Sequence, residues 1–333
     1  MDVQHIAVPE AGKDYPRNWN EFLDWFGSEA ACLGYLERLR WPHGFVCPSC
    51  GAAGEPYRSS RSRLMCNSCS HQSTVTAGTI FDKTRTPLRV WLAGAWYLTN
   101  QKHGVSALGL QRVLGLGGYE TAWTMLHRFR RAMVRPDRER LKGVVEVDET
   151  YLSISDRDAP MPKDQRKKRK NRTHQVLVVM AVELLQPKGF GRIRLRRIDN
   201  DSAEQVVPFV QTSIEPGAQV RTDGSAAYRE LQDLGYDHQR TVMLGSDVLA
   251  HVSMAGVHRV AALIKRWILG THHGAVQPAH LDAYLDEFVF RFNRRTSTSR
   301  GMLFYRLLQQ AVVTDPVTYE DVVRPLPKTA KPA

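Results

Sequence analysis

Two Cys-x2-Cys pairs constrain the fold of this chain more than any other feature. Cys47 and Cys50 form the first pair, Cys66 and Cys69 form the second, and the surrounding residues 43–82 are rich in Gly, Ser and Arg. A segment of this composition cannot build a core from its own side chains, and paired thiolates at this separation are typical of a zinc ribbon. Four sulfur ligands favour zinc over magnesium and leave no coordination position open for catalysis. We therefore predict a structural zinc (Zn) site on which the folding of this segment depends.

The charge balance indicates a polyanionic partner. The 333 residues include 46 Lys and Arg against 34 Asp and Glu, a formal net charge of +12, and 42% of the residues are hydrophobic. These values are typical of a globular chain that binds nucleic acid, although a basic enzyme without such a partner has the same composition. No apolar secretory signal is visible, and the longest apolar stretch, 176–185, is too short to span a bilayer. We expect a cytoplasmic, nucleoid-associated protein that does not bind membranes.

Residues 87–133 predict three helices separated by short breaks. Ser106 is suited to cap the second helix, and Arg128, Arg130 and Arg131 cluster at the end of the third. A helix, a short turn and a basic helix outline a helix-turn-helix, in which these arginines would bind DNA. An ordinary helical bundle accounts for the same pattern, and the residues do not decide between the two.

From residue 144 onward the pattern changes to alternating strands and helices, which is typical of an α/β domain. The predicted strands are 144–152, 174–185, 192–198 and 218–223, and the predicted helices are 202–214, 225–234, 255–270 and 280–295. A run rich in Lys and Arg, 157–173, separates the first two strands. Such a run is usually a solvated loop, but it could also clamp a phosphate backbone.

Two aspartates lie in runs that otherwise predict buried strands. Asp148 occurs in VVEVDETYL, and Asp223 ends the strand in AQVRTDGSAAY. Because an unpaired buried carboxylate is costly, two of them on neighbouring strands indicate a platform for divalent ions. Two such ions can activate a nucleophile and stabilise the leaving oxygen in phosphoryl transfer. Taken alone the signal is weak, since Asp223 and Gly224 could simply form a turn.

A third ligand is predicted on the helix that follows. His258 lies in AGVHRVAALIKRWILG, and Lys265, seven residues later, shares its helical face. One face thus presents an imidazole for a metal and a cation for a phosphate, although a histidine of this kind can also be a surface or core residue. Asp247 and Glu287 are the alternative third ligands, and both suit the expected helix less well.

Together these motifs resemble the DDE-type insertion-sequence transposases that carry an N-terminal zinc ribbon (ISXO-like). The resemblance rests on LRWPHGFVCPSCG, the second cysteine pair, VEVDETYL, VRTDGSAAY, VHRVAALIKRWILGTHHGAV and YLDEFVFRFNRR, and it covers nearly the whole chain. It implies an RNase H-like catalytic domain of the retroviral integrase superfamily, preceded by a zinc ribbon and a helical region. The expected domains are an N-terminal helix and ribbon at 17–85, a helical DNA-binding region at 86–138, the catalytic domain at 139–312 and a flexible tail at 313–333.

The resemblance also implies a role for each candidate residue. Asp148 and Asp223 match the first and second catalytic aspartates, and His258 matches the third position, where most such enzymes have Glu. The three would hold two magnesium (Mg) or manganese (Mn) ions, and an imidazole favours manganese more than a carboxylate does. Lys265 matches a basic position that contacts transposon-end DNA, and its neighbour Arg266 is expected to bind DNA with it.

The activity implied by the resemblance is DNA transposition. The ribbon and the helices would hold the terminal inverted repeats of a mobile element, while the catalytic domain cuts double-stranded DNA at the element ends and joins it to target DNA. Bringing two ends together implies a homodimer or a higher oligomer on DNA.

Three other functions fit parts of the sequence. A catalytically inactive or domesticated transposase-derived DNA-binding protein stays open because His258 stands where Glu is usual. A structure-selective nuclease on the same fold would cleave DNA without joining it. A zinc-ribbon transcription factor is a further alternative, and the two acid-bearing strands argue against it.

Overall fold

The structure, a computed structural model, describes residues 8–59, 62–136, 138–155, 173–241 and 254–323. These residues divide into two compact units: a first unit up to Arg135 and again from Thr296 onward, and a second unit from Pro136 to Arg295. The units differ from the domains suggested by the sequence, in which the catalytic region continues to residue 312. In the structure the helix that follows Thr296 packs with the first unit instead.

The described residues form both helices and strands in each unit. The α-helices are α1 (Trp19–Trp25), α2 (Glu29–Arg40), α3 (Leu88–Asn100), α4 (Ala107–Leu114), α5 (Tyr119–Ala132), α6 (Ala203–Ser213), α7 (Ala255–His272), α8 (Leu281–Phe292), α9 (Arg300–Ala311) and α10 (Tyr319–Val323). The strands are β1 (Tyr57–Arg58), β2 (Leu64–Met65), β3 (Gln72–Ser73), β4 (Val144–Ser155), β5 (Thr173–Leu184), β6 (Phe190–Ile198), β7 (Gln219–Thr222) and β8 (Asp237–Arg240). Short 3-10 helices cover Ala226–Leu231 and Pro278–His280. In the described part of the chain, no helix is both long and apolar enough to cross a bilayer.

Aromatic side chains form the core of the first unit. The ring centroid of Phe304 in α9 lies 5.8 Å from that of Phe22 in α1 and 5.4 Å from that of Trp96 in α3. Gly301 lets α9 approach the segment before α1, because a Cβ atom at this position would overlap the carbonyl oxygen of Pro16. These contacts explain why α9 belongs to the first unit although it follows the second in sequence.

The three-stranded sheet β1-β2-β3 of the described residues is antiparallel and is held against α2. Arg58 in β1 donates to the Glu37 carboxylate of α2 at 2.6 Å. Arg40, at the end of α2, donates to the carbonyl oxygens of Thr74 and Val75 at 3.1 and 2.8 Å. The short strands therefore depend on contacts outside the sheet as well as on the cysteines within it.

Helices α4 and α5 are joined by a turn in which Gly115 has a left-handed backbone, with φ of 61°. The Ser106 side chain accepts from the Gly109 N–H at 3.1 Å, which confirms the predicted cap of α4. Half of the residues of α5 are buried, including Met125 and Phe129, since α4, α9 and α10 pack on it. Both ends of the helix carry exposed residues, among them Tyr119 and Arg131. Helix α10 lies within the predicted tail, and residues 324–333 of that tail lie outside the described residues.

The second unit is built on a five-stranded sheet within its described residues, in the order β6-β5-β4-β7-β8. Strands β4, β5 and β6 follow one another as an antiparallel meander, whereas β7 is parallel to β4 and β8 is parallel to β7. Among the described residues, β7 pairs with β4 only from Val144 to Glu146, while β4 continues to Ser155, whose N–H donates to the Gly274 carbonyl at 2.8 Å. The part of β4 that follows Glu146 therefore runs past the end of β7.

Helices cover both faces of this sheet. On one face, Leu152 and Ile154 of β4 pack in a core with α7 and α8. On the other face, Val145 and Val147 of β4 pack in a second core with α6 and the 3-10 helix Ala226–Leu231. Because successive strand residues point to opposite faces, β4 contributes side chains to both cores and is buried between them.

Candidate functional site

The four paired cysteines converge on one point in the first unit. The Sγ atoms of Cys47 and Cys69 are 3.7 Å apart, as are those of Cys50 and Cys66, and all four lie within 4.8 Å of one another. Tetrahedral zinc with Zn–S bonds of about 2.3 Å would place its sulfur ligands about 3.8 Å apart. The cage therefore fits zinc both in donor type and in size.

The two halves of the cage have the same backbone geometry. Gly51 N–H donates to the Cys47 carbonyl at 2.9 Å, and Ser70 N–H donates to the Cys66 carbonyl at 2.9 Å. Gly51 and Ser70 both have left-handed backbones, with φ of 73° and 58°. Backbone N–H groups of Cys69 and Ser68 lower the pKa of the Cys66 thiol to about 6, which favours the thiolate that binds a metal. Each Cys-x2-Cys pair is thus a tight turn that presents its sulfur atoms to a common centre.

The two predicted aspartates lie side by side in the second unit. The parallel register pairs Glu146 of β4 with Arg221 of β7, so Asp148 stands level with Asp223, the residue that follows β7. Asp148 Oδ1 accepts from the Glu149 N–H at 2.9 Å. Asp223 Oδ1 accepts from the Ser225 N–H at 3.0 Å, so this residue does form the turn that its sequence suggested. Asp223 can therefore form this turn and still lie beside Asp148.

His258 lies in the first turn of α7, close enough to Glu146 and Asp148 for its charge to lower the pKa of both carboxyl groups. Glu146, 3% exposed, accepts from the N–H groups of Gly256 and Val257 at 2.7 and 3.0 Å. Glu146 and Asp148 are two residues apart on β4 and so share a face of the sheet. A Cβ atom at Gly256 would lie 2.8 Å from Glu146 Oε2, so this glycine allows the helix to sit directly on the strand. The carboxylate of Glu146 thereby fixes the start of α7 above β4.

A second contact holds the loop that carries Asp223. Tyr228, in the 3-10 helix that follows this loop, is fully buried, and its hydroxyl donates to Glu149 Oε1. Burial raises the pKa of Glu149 to about 7, although the Tyr228 hydrogen bond lowers it. Glu149 points away from Glu146, toward the opposite core. Asp148 therefore lies between one carboxylate that anchors α7 and another that anchors the loop after β7.

The charges around Asp148 are unbalanced. Burial raises the pKa of Asp148, the charges of Asp223 and Glu146 raise it further, and His258 lowers it. A cation bound among these side chains would relieve this repulsion, so two carboxylates and an imidazole suit a divalent ion. Among the residues that the structure describes, however, the four cysteines are the one group of three or more such side chains close enough to hold an ion. Asp148, Asp223 and His258 are neighbours, but their ligand atoms do not all lie within 4.8 Å of one another as those of the cysteines do.

Of the two alternative third ligands, Glu287 lies within the described residues and Asp247 does not. Glu287 is fully buried in α8, where Arg291 donates to its Oε1 at 2.8 Å. Its carboxylate thus has a structural partner one helical turn away. Asp247 lies outside the described residues, as does the basic run between residues 156 and 172. Of the two candidates that lie within the described residues, His258 is the one whose charge acts on Asp148.

The predicted DNA contacts fall into two groups. Lys265 and Arg266 on α7 and Arg131 at the end of α5 are exposed. Arg128 donates to the carbonyl oxygens of Ile80 and Asp82 at 3.0 and 3.3 Å, and Arg130 is 1% exposed. Arg130 is therefore not accessible to a phosphate where it stands, whereas Arg128 is half-buried and binds backbone carbonyl groups. The DNA-binding role expected of both arginines stays a prediction.

Comparisons with known proteins agree with this arrangement. The family model described as "ISXO2-like transposase domain" matches residues 140–293, and the model described as "Transposase zinc-ribbon domain" matches residues 27–72. A protein of Halobacterium salinarum, described as an uncharacterized protein in transposable element ISH50, is 26% identical over 279 residues, which are 80% of this chain and 91% of the relative. The first match includes Asp148, Asp223 and His258, and the second contains all four ribbon cysteines. The chain therefore belongs to the insertion-sequence transposases that combine a transposase zinc ribbon with an ISXO2-like transposase domain.

Proposed function

We propose that this transposase cuts and joins DNA at the terminal inverted repeats of its insertion sequence, with Asp148, Asp223 and His258 as the residues that hold two catalytic ions. The observation that carries the proposal is the register of β4 and β7, which sets the two aspartates level with each other at the end of a parallel strand pair. Phosphoryl transfer needs hard oxygen ligands that converge in this way.

The topology of the second unit supports an RNase H-like fold for this site. Within the described residues, an antiparallel meander of β4, β5 and β6 is extended by the parallel strands β7 and β8, and helices lie on both faces. This is the arrangement expected for a catalytic domain of the retroviral integrase superfamily. The central strand β4 carries Asp148, as the resemblance implies for the first catalytic aspartate.

The reaction would proceed in two transfers at phosphorus. In the first, a water oxygen replaces the 3′ oxygen at the element end and frees a 3′-hydroxyl. In the second, that hydroxyl oxygen replaces the 3′ oxygen of a target nucleotide; the attacking hydroxyl gives up its proton to solvent, and the displaced 3′ oxygen takes one up and becomes a new 3′-hydroxyl. Divalent ions at this site would activate the attacking oxygen and stabilise the leaving one. Asp148 and Asp223 would supply oxygen ligands, His258 would supply a nitrogen ligand, and Glu146 and Glu149 would keep the three in position.

The DNA partner and its contacts follow from charge and exposure. Double-stranded DNA of the element ends and of the target would meet the exposed cations, including Lys265, Arg266 and Arg131, through its phosphates. The ribbon, with structural zinc, and the exposed parts of α4 and α5 would hold the terminal repeats. Holding two ends together requires at least a homodimer on DNA.

A cleavage and joining assay tests the proposal. The full-length, zinc-loaded protein is incubated with duplex DNA of its element end in magnesium and, separately, in manganese. We expect Asp148→Asn, Asp223→Asn and His258→Ala to lose both steps while their circular dichroism stays that of the wild type. Asp233→Asn, an exposed carboxylate outside the site, is the matched control and should keep both steps. Full activity of His258→Ala would remove His258 from the site.

A DNA-binding protein without catalysis is the second candidate function. It is favoured by His258 at a position where most DDE-type enzymes have Glu, and by the looser grouping of the three side chains compared with the cysteines. Specific binding to the element end with no cleavage in either metal would select this function. Cleavage without joining would instead indicate a structure-selective nuclease.

A further inference from the structure

Strand β8 brings polar side chains to the end of β7, where Asp223 lies. It pairs in parallel with β7 from Asp237 to Arg240, and its sequence DHQR contains no large apolar side chain. The Thr241 N–H continues this pairing by donating to the Thr222 carbonyl at 2.8 Å. Strand β8 therefore runs alongside β7 up to the residue before Asp223, and its side chains can reach the turn that follows.

A buried hydroxyl group joins the two strands next to Asp223. Thr222 is fully buried, and its Oγ1 donates to the Asp223 carbonyl at 2.9 Å. The Nε2 atom of His238 lies 2.9 Å from the same hydroxyl oxygen. A hydroxyl group has one proton to donate, so when Thr222 donates to Asp223 the Nε2–H group of His238 donates to Thr222. The imidazole thereby orients the hydroxyl group that holds the backbone of Asp223.

A second side chain of β8 holds the turn on the other side of Asp223. Arg240 Nη2 donates to the Gly224 carbonyl at 3.1 Å. The Ser225 N–H donates to Asp223 Oδ1 at 3.0 Å, so the carboxylate itself closes the turn. Residues of β8 thus hold two successive carbonyl groups, that of Gly224 directly and that of Asp223 through Thr222.

The strand that carries Asp148 gives this turn less support. Within the described residues, β7 pairs with β4 only as far as Arg221, two residues before Asp223. Its pairing with β8 extends one residue further, to Thr222. Beyond the contact that Tyr228 makes to β4, the backbone that directs the Asp223 carboxylate is therefore held from the β8 side.

We infer that His238 and Arg240 are positioning residues of the active site, which hold the Asp223 turn so that its carboxylate meets the ion shared with Asp148. This inference rests on the proposed function. Each side chain acts through the backbone of the turn and not on the reacting atoms. Removing a side chain that orients a metal ligand typically costs about 10–100-fold in metal affinity or activity.

The dependence of cleavage on metal concentration separates positioning from a general loss of structure. The full-length, zinc-loaded protein is assayed on element-end DNA over a range of concentrations of the metal that supports wild-type cleavage. We expect His238→Ala and Arg240→Ala to raise the concentration for half-maximal cleavage about tenfold, with a much smaller loss of rate at saturating metal. His238→Gln and Arg240→Lys keep a donor and should stay within about threefold of the wild type. Gln239→Ala, at an exposed residue between the two, is the matched control and should change nothing. An unchanged metal requirement in either of the other Ala variants would overturn the role of that residue.

Hydrogen exchange at the turn tests the same contacts without requiring catalysis. Mass spectrometry of peptides that contain residues 223–227 follows the Ser225 N–H group, which the Asp223 carboxylate holds. We expect Arg240→Ala to speed exchange in this segment about tenfold, because a hydrogen bond from a charged donor is lost, and Gln239→Ala to leave it unchanged. Wild-type exchange rates in Arg240→Ala would overturn the inference even if the protein cuts DNA. Faster exchange in a protein that does not cut DNA would support the contacts from β8 and count against the proposed function instead.

Discussion

At the scale of single residues, Glu146 is the side chain on which the position of His258 depends. Its Oε2 atom accepts from two backbone N–H groups at the start of α7, at 2.7 and 3.0 Å, and it is almost completely buried. Those N–H groups have no intrahelical partner, because they belong to the first turn of the helix. Glu146 thus joins the strand of Asp148 to the helix of His258 by a direct contact.

Replacing Glu146 by Ala should lower both stability and activity. The change leaves two buried N–H groups without an acceptor, which costs about 1–3 kcal/mol for each unsatisfied group. Glu146→Gln keeps an oxygen at the same place and should retain most of both properties. Urea unfolding and the cleavage assay measure the two effects. If Glu146→Gln lost as much cleavage activity as Glu146→Ala, the carboxylate would have a role other than positioning α7.

The sequence predicted part of this site for a clear physical reason. Asp148 and Asp223 stood out because carboxylates are rare in apolar strands, and the structure places them level with each other. Glu146 was in the same strand, two residues before Asp148, and the alternation of β-strands already put it on the same face. Its partners were not predictable, because they belong to a helix that follows over a hundred residues later. The burial of Arg130 was not predictable for the same reason, because a helical pattern does not reveal which faces of a helix are covered by other helices.

At the scale of elements, the contact between α7 and β4 depends on a glycine. A Cβ atom at Gly256 would lie 2.8 Å from Glu146 Oε2 and 3.0 Å from Leu184 Cδ2. Glu146 Oε2 is held by two N–H groups of this same turn, so it cannot move away without losing those hydrogen bonds. The first turn of the helix can therefore lie against the strand only without a side chain at this position.

The same substitution, Gly→Ala, should affect stability differently at two positions of α7. Gly256→Ala should destabilise the protein by about 1–3 kcal/mol through overpacking and should reduce cleavage by moving His258. Gly270→Ala lies in the same helix, where a Cβ atom meets nothing within 4 Å. It should be neutral or stabilise by up to about 1 kcal/mol through helix propensity. Chemical unfolding and cleavage rates compare the pair, and equal effects would show that α7 does not pack on β4 this closely.

The zinc ribbon makes a separate prediction at this scale. Cys66→Ser should lose the bound zinc and unfold residues 43–82, because structural zinc contributes about 10–16 kcal/mol to such small folds. Cys32→Ala is the matched control, since Cys32 is buried in α2 away from the cage and should not change the zinc content. Metal content by atomic absorption and chelator-induced loss of structure provide the measurements. Zinc retained at wild-type level in Cys66→Ser would contradict the four-thiolate cage.

The elements themselves were predictable where an apolar pattern exists. The predicted strands at 144–152 and 218–223 correspond to β4 and β7 within a few residues. Strand β8 was missed because its sequence, DHQR, is polar and has no alternating pattern to detect. Helix α9 has an amphipathic pattern, but such a pattern shows only that one face is buried and not against which unit. Its place beside Phe22 and Trp96 is decided by ring packing and by the glycine at position 301.

At the scale of the whole molecule, the two compact units carry different kinds of side-chain cluster. The first unit contains the zinc-ribbon match and the cysteine cage, in which sulfur ligands are already assembled. The second contains the transposase-domain match and a group of carboxylates with one imidazole. A net charge of +12 suits the chain to DNA as a whole. The sulfur site is suited to stabilise a small fold, and the oxygen-rich site is suited to act on phosphate.

The central claim is that Asp148 and Asp223 bind the ions used in catalysis, and a change of metal preference tests it most directly. Asp148→Cys and Asp223→Cys each replace a hard oxygen ligand by sulfur, which manganese accepts more readily than magnesium. Cleavage of element-end DNA is measured for each variant in both metals, with Asp233→Cys as the control outside the site. We expect both variants to lose cleavage in magnesium and to regain part of it in manganese, while the control is active in both. Full activity in magnesium, or a loss of equal size in both metals, would contradict ion binding by these two side chains.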